Sequence, residues 1–217
     1  MTAPEQDPFD RLVELIDRED TEGIKSLFRT ELDPNGVCEF GWSPLAFAVY
    51  SGKPRMVKLL MELGGLVERC EFEPDSTVLH EAAERGFAEV VKILLDAGGK
   101  RFLEEFDYVD RTPLMCAAQN GNLDIASRLI DAGANVNAHN EARAGDTALS
   151  VAVSQKNQEM VKLLLEAGAD PRVHGWMRMT PLDRAKELKR PPGPQILELL
   201  ENAIRQESWL HPKRRPR

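Results

Sequence analysis

The histidines and cysteines of this 217-residue chain are its most reactive side chains, and their spacing argues against a metal site. No two histidines and no two cysteines have the short separation that zinc ligands need. The cysteines are odd in number and widely spaced, which indicates free thiols in a reducing compartment: Cys38, Cys70 and Cys116. We therefore expect neither a structural metal nor a disulfide framework.

Carboxylates are the other side chains that could support catalysis, for example the group of Glu104, Glu105, Asp107 and Asp110. A general acid or base needs a closed, partly dry pocket that shifts its pKa. We interpret this group instead as a solvated charged surface. The sequence has no nucleophile elbow and no glycine loop suited to phosphate, so we expect neither an enzyme nor a cofactor.

Composition and charge exclude several further classes of protein. Hydrophobic residues make up 42% of the chain and charged residues 29%, which is enough apolar material for a core. The net charge of −8 repels phosphates, so binding to nucleic acid is not expected. No apolar run approaches the ~20 residues that span a bilayer. The first ten residues lack a secretory signal, and we expect a cytoplasmic protein.

The elements that position these side chains are repeated along the chain. A Thr/Ser-x-Leu signature recurs at steps of 33 to 35 residues, starting at Ser43, Thr77, Thr112, Thr147 and Thr180. An alanine stands five residues after each start. A glycine stands nine residues after the first three starts and is replaced by Lys156 in the fourth unit. A leucine pair and a second glycine then complete most units.

Each unit is predicted to form two short helices and an extended tip. The Thr or Ser hydroxyl caps the first helix by accepting a free backbone N–H. The first glycine allows the left-handed backbone of a tight turn between the helices, and the second glycine ends the second helix. Because one unit cannot bury its own apolar face, the units must stack.

This pattern resembles the ankyrin repeat, most closely from Thr77, Thr112 and Thr147, and over about residues 37–206. The resemblance implies an all-α solenoid of about 12 helices joined by extended tips. It also implies that His80, in the TVLH segment, is a structural hydrogen-bonding residue that links the helix start to neighbouring backbone. Ankyrin repeats in general bind other proteins, so a protein partner is implied as well.

The ends of the chain depart from the repeat pattern, as terminal repeats do. Asp7 and Pro8 open a predicted first helix, while a proline-rich loop and a helix from about Gln195 to Arg205 close the array. We predict a single domain over 1–211 and a basic mobile tail at 212–217. Within the domain we predict an N-terminal capping helix pair (8–36), four repeats (37–71, 72–106, 107–141 and 142–174) and a C-terminal capping repeat (175–211).

The resemblance further implies a concave binding surface formed by the tips and by exposed positions of the first helices. Aromatic, methionine and arginine side chains dominate binding hot spots. We therefore predict that a partner protein contacts Phe40, Trp42, Tyr50, Arg85, Tyr108, Arg111, Arg143, Trp176, Met177 and Met179. An alternative places Phe40 and Trp42 between the first tip and the N-terminal cap, and Trp176 over the last repeat.

The leading functional hypothesis is a non-catalytic protein-protein interaction module whose acidic rim attracts a basic surface of its partner. A narrower alternative is an inhibitor or immunity protein that occludes a toxin or enzyme. A third hypothesis, a nucleic-acid-associated regulator, rests only on the basic tail. Because the caps are polar we expect a monomer, although Trp209 and Leu210 leave apolar surface unexplained.

Overall fold

The computed structural model describes residues 7–67, 75–140, 142 and 145–206, and this part of the chain forms twelve α-helices and no β-strand. The predicted all-α ankyrin solenoid is confirmed. In chain order the helices are α1 Pro8–Arg18, α2 Thr21–Thr30, α3 Pro44–Tyr50, α4 Pro54–Glu62, α5 Val78–Arg85, α6 Ala88–Asp96, α7 Pro113–Gln119, α8 Leu123–Asp131, α9 Ala148–Ser154, α10 Gln158–Glu166, α11 Pro181–Glu187 and α12 Gly193–Gln206.

The five predicted capping residues begin the first helix of each unit. Each side chain accepts the backbone N–H three residues further on, which gives one otherwise unpaired donor a partner and contributes about 1 kcal/mol: Ser43, Thr77, Thr112, Thr147 and Thr180. Pro44, Pro113 and Pro181 fill the first turn, where a missing N–H costs no hydrogen bond.

The tight turn inside each of the four units that start at Ser43, Thr77, Thr112 and Thr147 uses the left-handed backbone that the glycine pattern predicts. Gly52 has φ +65°, and a Cβ built there would lie 2.6 Å from the ring of Phe87, so both conformation and space require glycine. In the fourth unit Lys156 adopts the same conformation, with φ +56°. A lysine in this region carries strain that glycine does not.

The helices stack in two layers. The first helices of successive units pack against one another in the order α1, α3, α5, α7, α9 and α11, and the second helices in the order α4, α6, α8, α10 and α12. Helix α2 pairs with α1 at the N-terminal end. The tips therefore project in sequence along one edge of the layer of first helices.

Small alanines allow the two layers to approach closely. The alanine five residues after each capping residue has at most 1% of its surface exposed: Ala48, Ala82, Ala117, Ala152 and Ala185. Leucines fill the space around them, and burying each such side chain contributes about 1.5–3 kcal/mol. A larger residue at an alanine position would overpack this contact.

Helices lie at both ends of the described array, close to the positions that the sequence predicts for them. At the start of α1 the Asp7 side chain accepts the Phe9 N–H at 2.7 Å. At the other end α12 spans Gly193–Gln206 and so begins two residues earlier than predicted. The predicted tail at 212–217 lies outside the described residues, and the predicted unit boundaries stay a prediction. Among the helices described here, none combines the length and apolar character needed to cross a bilayer.

Candidate functional site

An aromatic cluster joins the N-terminal cap to the first repeat. Phe9 of α1 meets Phe47 of α3 edge to face, with 6.5 Å between ring centroids. Trp42, in the tip before α3, meets Phe47 at 6.5 Å and Tyr50 at 5.1 Å, again edge to face. Edge-to-face pairs at these distances each add about 0.5–1.5 kcal/mol to the burial of area. We call this surface, formed by Phe9, Phe40, Trp42, Phe47 and Tyr50, the N-terminal aromatic face.

The outer members of the N-terminal aromatic face remain open to solvent. Phe40 is 68% exposed and Tyr50 is 42% exposed, whereas Trp42 is half-buried between its neighbours. The Arg85 guanidinium lies 3.6 Å from the centroid of the Tyr50 ring and also forms an ion pair with Glu81. Phe40 and Tyr50 therefore present large apolar area, and Trp42 packs against Tyr50.

The N-terminal aromatic face forms the wall of a pocket of about 360 Å³, which we call the N-terminal pocket. Its described lining residues are Asp7, Phe9, Asp10, Val13, Cys38, Glu39, Phe40, Trp42, Phe47 and Tyr50. They include three carboxylates and no lysine, arginine or histidine. An apolar wall with an acidic rim suits a bulky apolar side chain flanked by positive charge.

The tip before α7, residues 107–112, has a different organisation. The Asp107 carboxylate accepts the backbone N–H groups of Val109 and Arg111 at 3.0 and 2.7 Å. It also pairs with the Arg111 guanidinium at 2.8 Å. Arg111 reaches Glu84 at 3.1 Å and Gln119 at 3.1 Å as well. We call this network of Asp107, Arg111, Glu84 and Gln119 the Asp107 tip.

Two expectations change at the Asp107 tip. The expectation that Asp107 belongs to a solvated surface is wrong, because its residue surface is 3% exposed and its carboxylate holds the loop together. The Arg111 side chain is only 16% exposed, so the structure gives it an internal role rather than that of a freely accessible anchor. A buried carboxylate needs such a partner, since its desolvation is otherwise uncompensated. Tyr108 beside them is 55% exposed, as predicted for a contact residue.

The last tip presents a second exposed apolar group. Trp176 is 60% exposed and Met177 is 67% exposed, whereas Met179 is half-buried. Met177 and Arg178 both have left-handed backbone, with φ +59° and +57°, which is costly for residues with side chains. The Trp176 N–H donates to Asp146 at 3.1 Å, and Asp146 also pairs with Arg184 at 2.6 Å, which fixes this tip against α11.

His80 and Cys116 lie inside the solenoid. The Nδ1 atom of His80 accepts the Thr77 N–H at 3.2 Å, and Nε2 faces the carbonyls of Glu105 at 3.1 Å and Arg111 at 2.9 Å. These partners require the neutral tautomer with its proton on Nε2, and burial lowers the pKa of His80. Burial raises the pKa of the Cys116 thiol, because it disfavours the charged thiolate. Cys116 is therefore a poor nucleophile.

Two of the residues considered in the sequence, Arg143 and Cys70, lie outside the described residues. Within the described ranges, no three His, Cys, Asp or Glu side chains come together in a group that could hold a metal ion.

Four pocket residues escaped the sequence reasoning: Phe9, Asp10, Val13 and Phe47. Phe9 and Asp10 follow the predicted cap of α1, and Phe47 lies inside α3. Their helical positions were predictable, but their convergence with the first tip depends on how α1 packs against α3. The one available signal was an aromatic residue two positions after Asp7, which an ordinary helix start does not require.

Comparison with known proteins agrees with this architecture. A family model described as ankyrin repeats (3 copies) matches residues 12–102 and 99–175. The chain therefore belongs to the ankyrin repeat family. Ankyrin repeats are generally protein-protein interaction modules, and their fold is a known non-enzymatic scaffold.

Individual relatives show how far the likeness extends. The crystal structure of the human ASB11 ankyrin repeat domain matches with a TM-score of 0.70 and 26% identity, over 95% of this chain and 84% of that one. Dauer abnormal formation protein 25 of Caenorhabditis elegans is 32% identical over 113 residues, which are 48% of this chain. The matched region spans 26% of that relative, so the likeness concerns about a quarter of that protein and not the whole of it.

Proposed function

We propose that this chain binds a partner protein without catalysis, and that the N-terminal aromatic face supplies the main contacts. The observation that carries this proposal is the exposure of Phe40 and Tyr50 beside an apolar pocket. Aromatic side chains of this kind dominate binding hot spots because they offer large area with few rotatable bonds. Tyr108, Trp176 and Met177, which are exposed in later tips, extend the proposed contact surface.

The rigidity of the array supports this function. Trp42 packs on both Phe47 and Tyr50, so little conformational entropy is lost at Tyr50 when a partner docks. The acidic rim and the net charge of −8 attract a partner with a basic surface and increase its association rate at low salt. A partner bound here would gain affinity from the aromatic contacts and selectivity from the charges.

The test is affinity capture with quantitative mass spectrometry from cells that contain the natural partner. The wild type is compared with Phe40→Ala/Tyr50→Ala and with Leu123→Ala, which removes an exposed apolar side chain from the second-helix layer. Truncating an anchor costs about 2 kcal/mol, so we expect at least one protein to fall more than about 30-fold with the double variant and to persist with Leu123→Ala. Equal recovery with all three chains would refute the proposed face.

The alternative of an inhibitor or immunity protein is tested by measuring the activity of the captured partner. If the chain occludes a toxin or enzyme, the activity of the purified partner falls in proportion to the bound fraction. A binding module without inhibitory function leaves that activity unchanged. The same Phe40→Ala/Tyr50→Ala variant must relieve any inhibition, because both hypotheses use this face.

A further inference from the structure

We propose that the N-terminal pocket receives residues 207–217 of a second copy of this chain, so that copies associate head to tail. This inference uses the same face as the proposed function, but its test needs only the purified chain, so that either one can fail without the other. It rests on the match between the apolar, acidic pocket and the composition of one particular segment of the sequence.

The charge of the N-terminal pocket is not balanced from within the described part of the chain. Neither Asp10 nor Glu39 forms an ion pair with a residue that the structure describes. The Asp7 side chain caps α1 by accepting the backbone N–H of Phe9. A cationic ligand therefore gains attraction from the rim without displacing an existing partner.

The segment at 207–217 has the complementary chemistry. Its sequence, ESWLHPKRRPR, places Trp209 and Leu210 shortly before the cations Lys213, Arg214, Arg215 and Arg217. The pocket of about 360 Å³ accommodates one large aromatic side chain. A tryptophan would meet Phe40, Trp42 and Tyr50, and the cations that follow would lie within reach of Glu39 and Asp10.

Chain geometry makes a second copy the donor of this segment. Helix α12 ends at Gln206, and Trp209 follows three residues later, so its backbone extends at most about 10 Å from the helix end. The pocket lies between α1 and α3, four packed helices away from α11. At about 8–10 Å for each helix-to-helix step, the separation exceeds about 30 Å. Trp209 therefore cannot reach the pocket of its own chain.

A contact between unlike surfaces has a distinctive consequence. Each chain carries one donor segment and one pocket. Copies therefore add one after another, and growth stops only where the chains close into a ring. The expectation of a monomer, drawn from the polar caps, thus gives way to association that increases with protein concentration.

Sedimentation velocity of the full chain tests this proposal, with two variants that each remove one side of the contact. The donor variant is Trp209→Ala/Leu210→Ala. The pocket variant is Glu39→Gln/Phe40→Ala; both of its positions are exposed, so we expect this variant to keep the fold. We expect the wild type to associate with increasing concentration at low salt and each variant alone to associate at least about 10-fold more weakly. Leu123→Ala, an exposed apolar position on α8 away from the pocket, is the matched control and should behave as wild type.

Mixing the two variants gives the sharpest outcome. The donor variant retains its pocket and the pocket variant retains its segment, so an equimolar mixture should form a complex of twice the 24.3 kDa chain mass and grow no further. A synthetic peptide of residues 207–217 should compete for the pocket and dissociate the wild-type assemblies. A wild type that stays at the single-chain mass, or assemblies that both variants leave unchanged, would overturn the proposal.

Discussion

The N-terminal aromatic face and the Asp107 tip each present an exposed tyrosine, but aromatic packing stabilises the first and a network of ion pairs and hydrogen bonds stabilises the second. Tyr50 packs edge to face on Trp42 and lies beneath the Arg85 guanidinium, and a pocket stays open between the cap and the first repeat. Around Tyr108 the neighbours are charged groups that satisfy one another, with Asp107 3% exposed. Exposure alone therefore does not identify a binding residue. The contacts that the side chain and its neighbours already make must also be known.

The comparison also separates residues that serve the fold from residues that are free to bind. Arg111 joins Asp107, Glu84 and Gln119, so a partner could recruit it only by breaking several hydrogen bonds. Phe40 makes no ring contact with another described residue and loses little when a partner covers it. The predictions that follow test this separation through stability, from the largest expected effect to the smallest.

The largest effect is expected at the Asp107 tip. Asp107→Ala removes the buried carboxylate that neutralises Arg111 and accepts two backbone N–H groups, and we expect the free energy of unfolding to fall by about 3–5 kcal/mol. Urea denaturation followed by circular dichroism measures this loss. The matched control is Asp124→Ala, an exposed helical partner of Arg128, which should cost less than about 1 kcal/mol. Equal losses in both variants would contradict the assigned role of Asp107.

An intermediate effect is expected at His80, which links the start of α5 to the carbonyls at both ends of the next tip. His80→Gln should cost about 1–3 kcal/mol at pH 7.5, because buried polar partners lose their hydrogen bonds. Denaturation at a series of pH values measures this cost and its pH dependence.

The pH dependence follows from the lowered pKa of His80. Since burial holds the folded pKa below the ordinary value of 6.5, protonation favours the unfolded chain. The contribution of the neutral imidazole is fully present above pH 6.5 and declines as the pH falls from there toward the folded pKa. His80→Gln should lack this part of the pH dependence. An unchanged slope in the variant would show that His80 does not titrate in this way.

The smallest effect is expected at the contact between Tyr50 and Arg85, where the guanidinium lies 3.6 Å from the ring centroid. A double-mutant cycle with Tyr50→Ala and Arg85→Ala should give a coupling energy of about 0.5–1 kcal/mol. Thermal denaturation of the four proteins provides the measurement. A coupling above about 2 kcal/mol would mean that Tyr50 serves the fold, and the contrast with the Asp107 tip would fail.

The regular parts of this fold were predictable because each depends on a local interaction. A Thr or Ser that accepts an N–H three residues ahead fixes a helix start, as at Thr112, and a left-handed turn fixes the place of a glycine, as at Gly52. Even the exception, Lys156, stands where the period of the repeat places a left-handed residue.

The contacts of the candidate site depend on longer separations and were only partly predictable. The exposed Tyr50, Tyr108 and Trp176 follow from the positions that the repeat leaves free. Whether Arg111 turns to solvent or to Asp107 depends on how the tip folds over Glu84, 27 residues away, and no local rule decides it. The N-terminal pocket likewise exists only because Phe9 meets Phe47, 38 positions later in the sequence.

The affinity of the purified partner for matched variants tests the central claim most directly. Once capture has identified that partner, isothermal titration calorimetry gives its Kd for the wild type, for Phe40→Ala/Tyr50→Ala and for Leu123→Ala under conditions in which all three are folded. We expect the Kd to rise more than about 30-fold for the double variant and to change less than about twofold for Leu123→Ala. Equal Kd values for all three proteins would contradict the claim that the N-terminal aromatic face is where this ankyrin repeat protein binds.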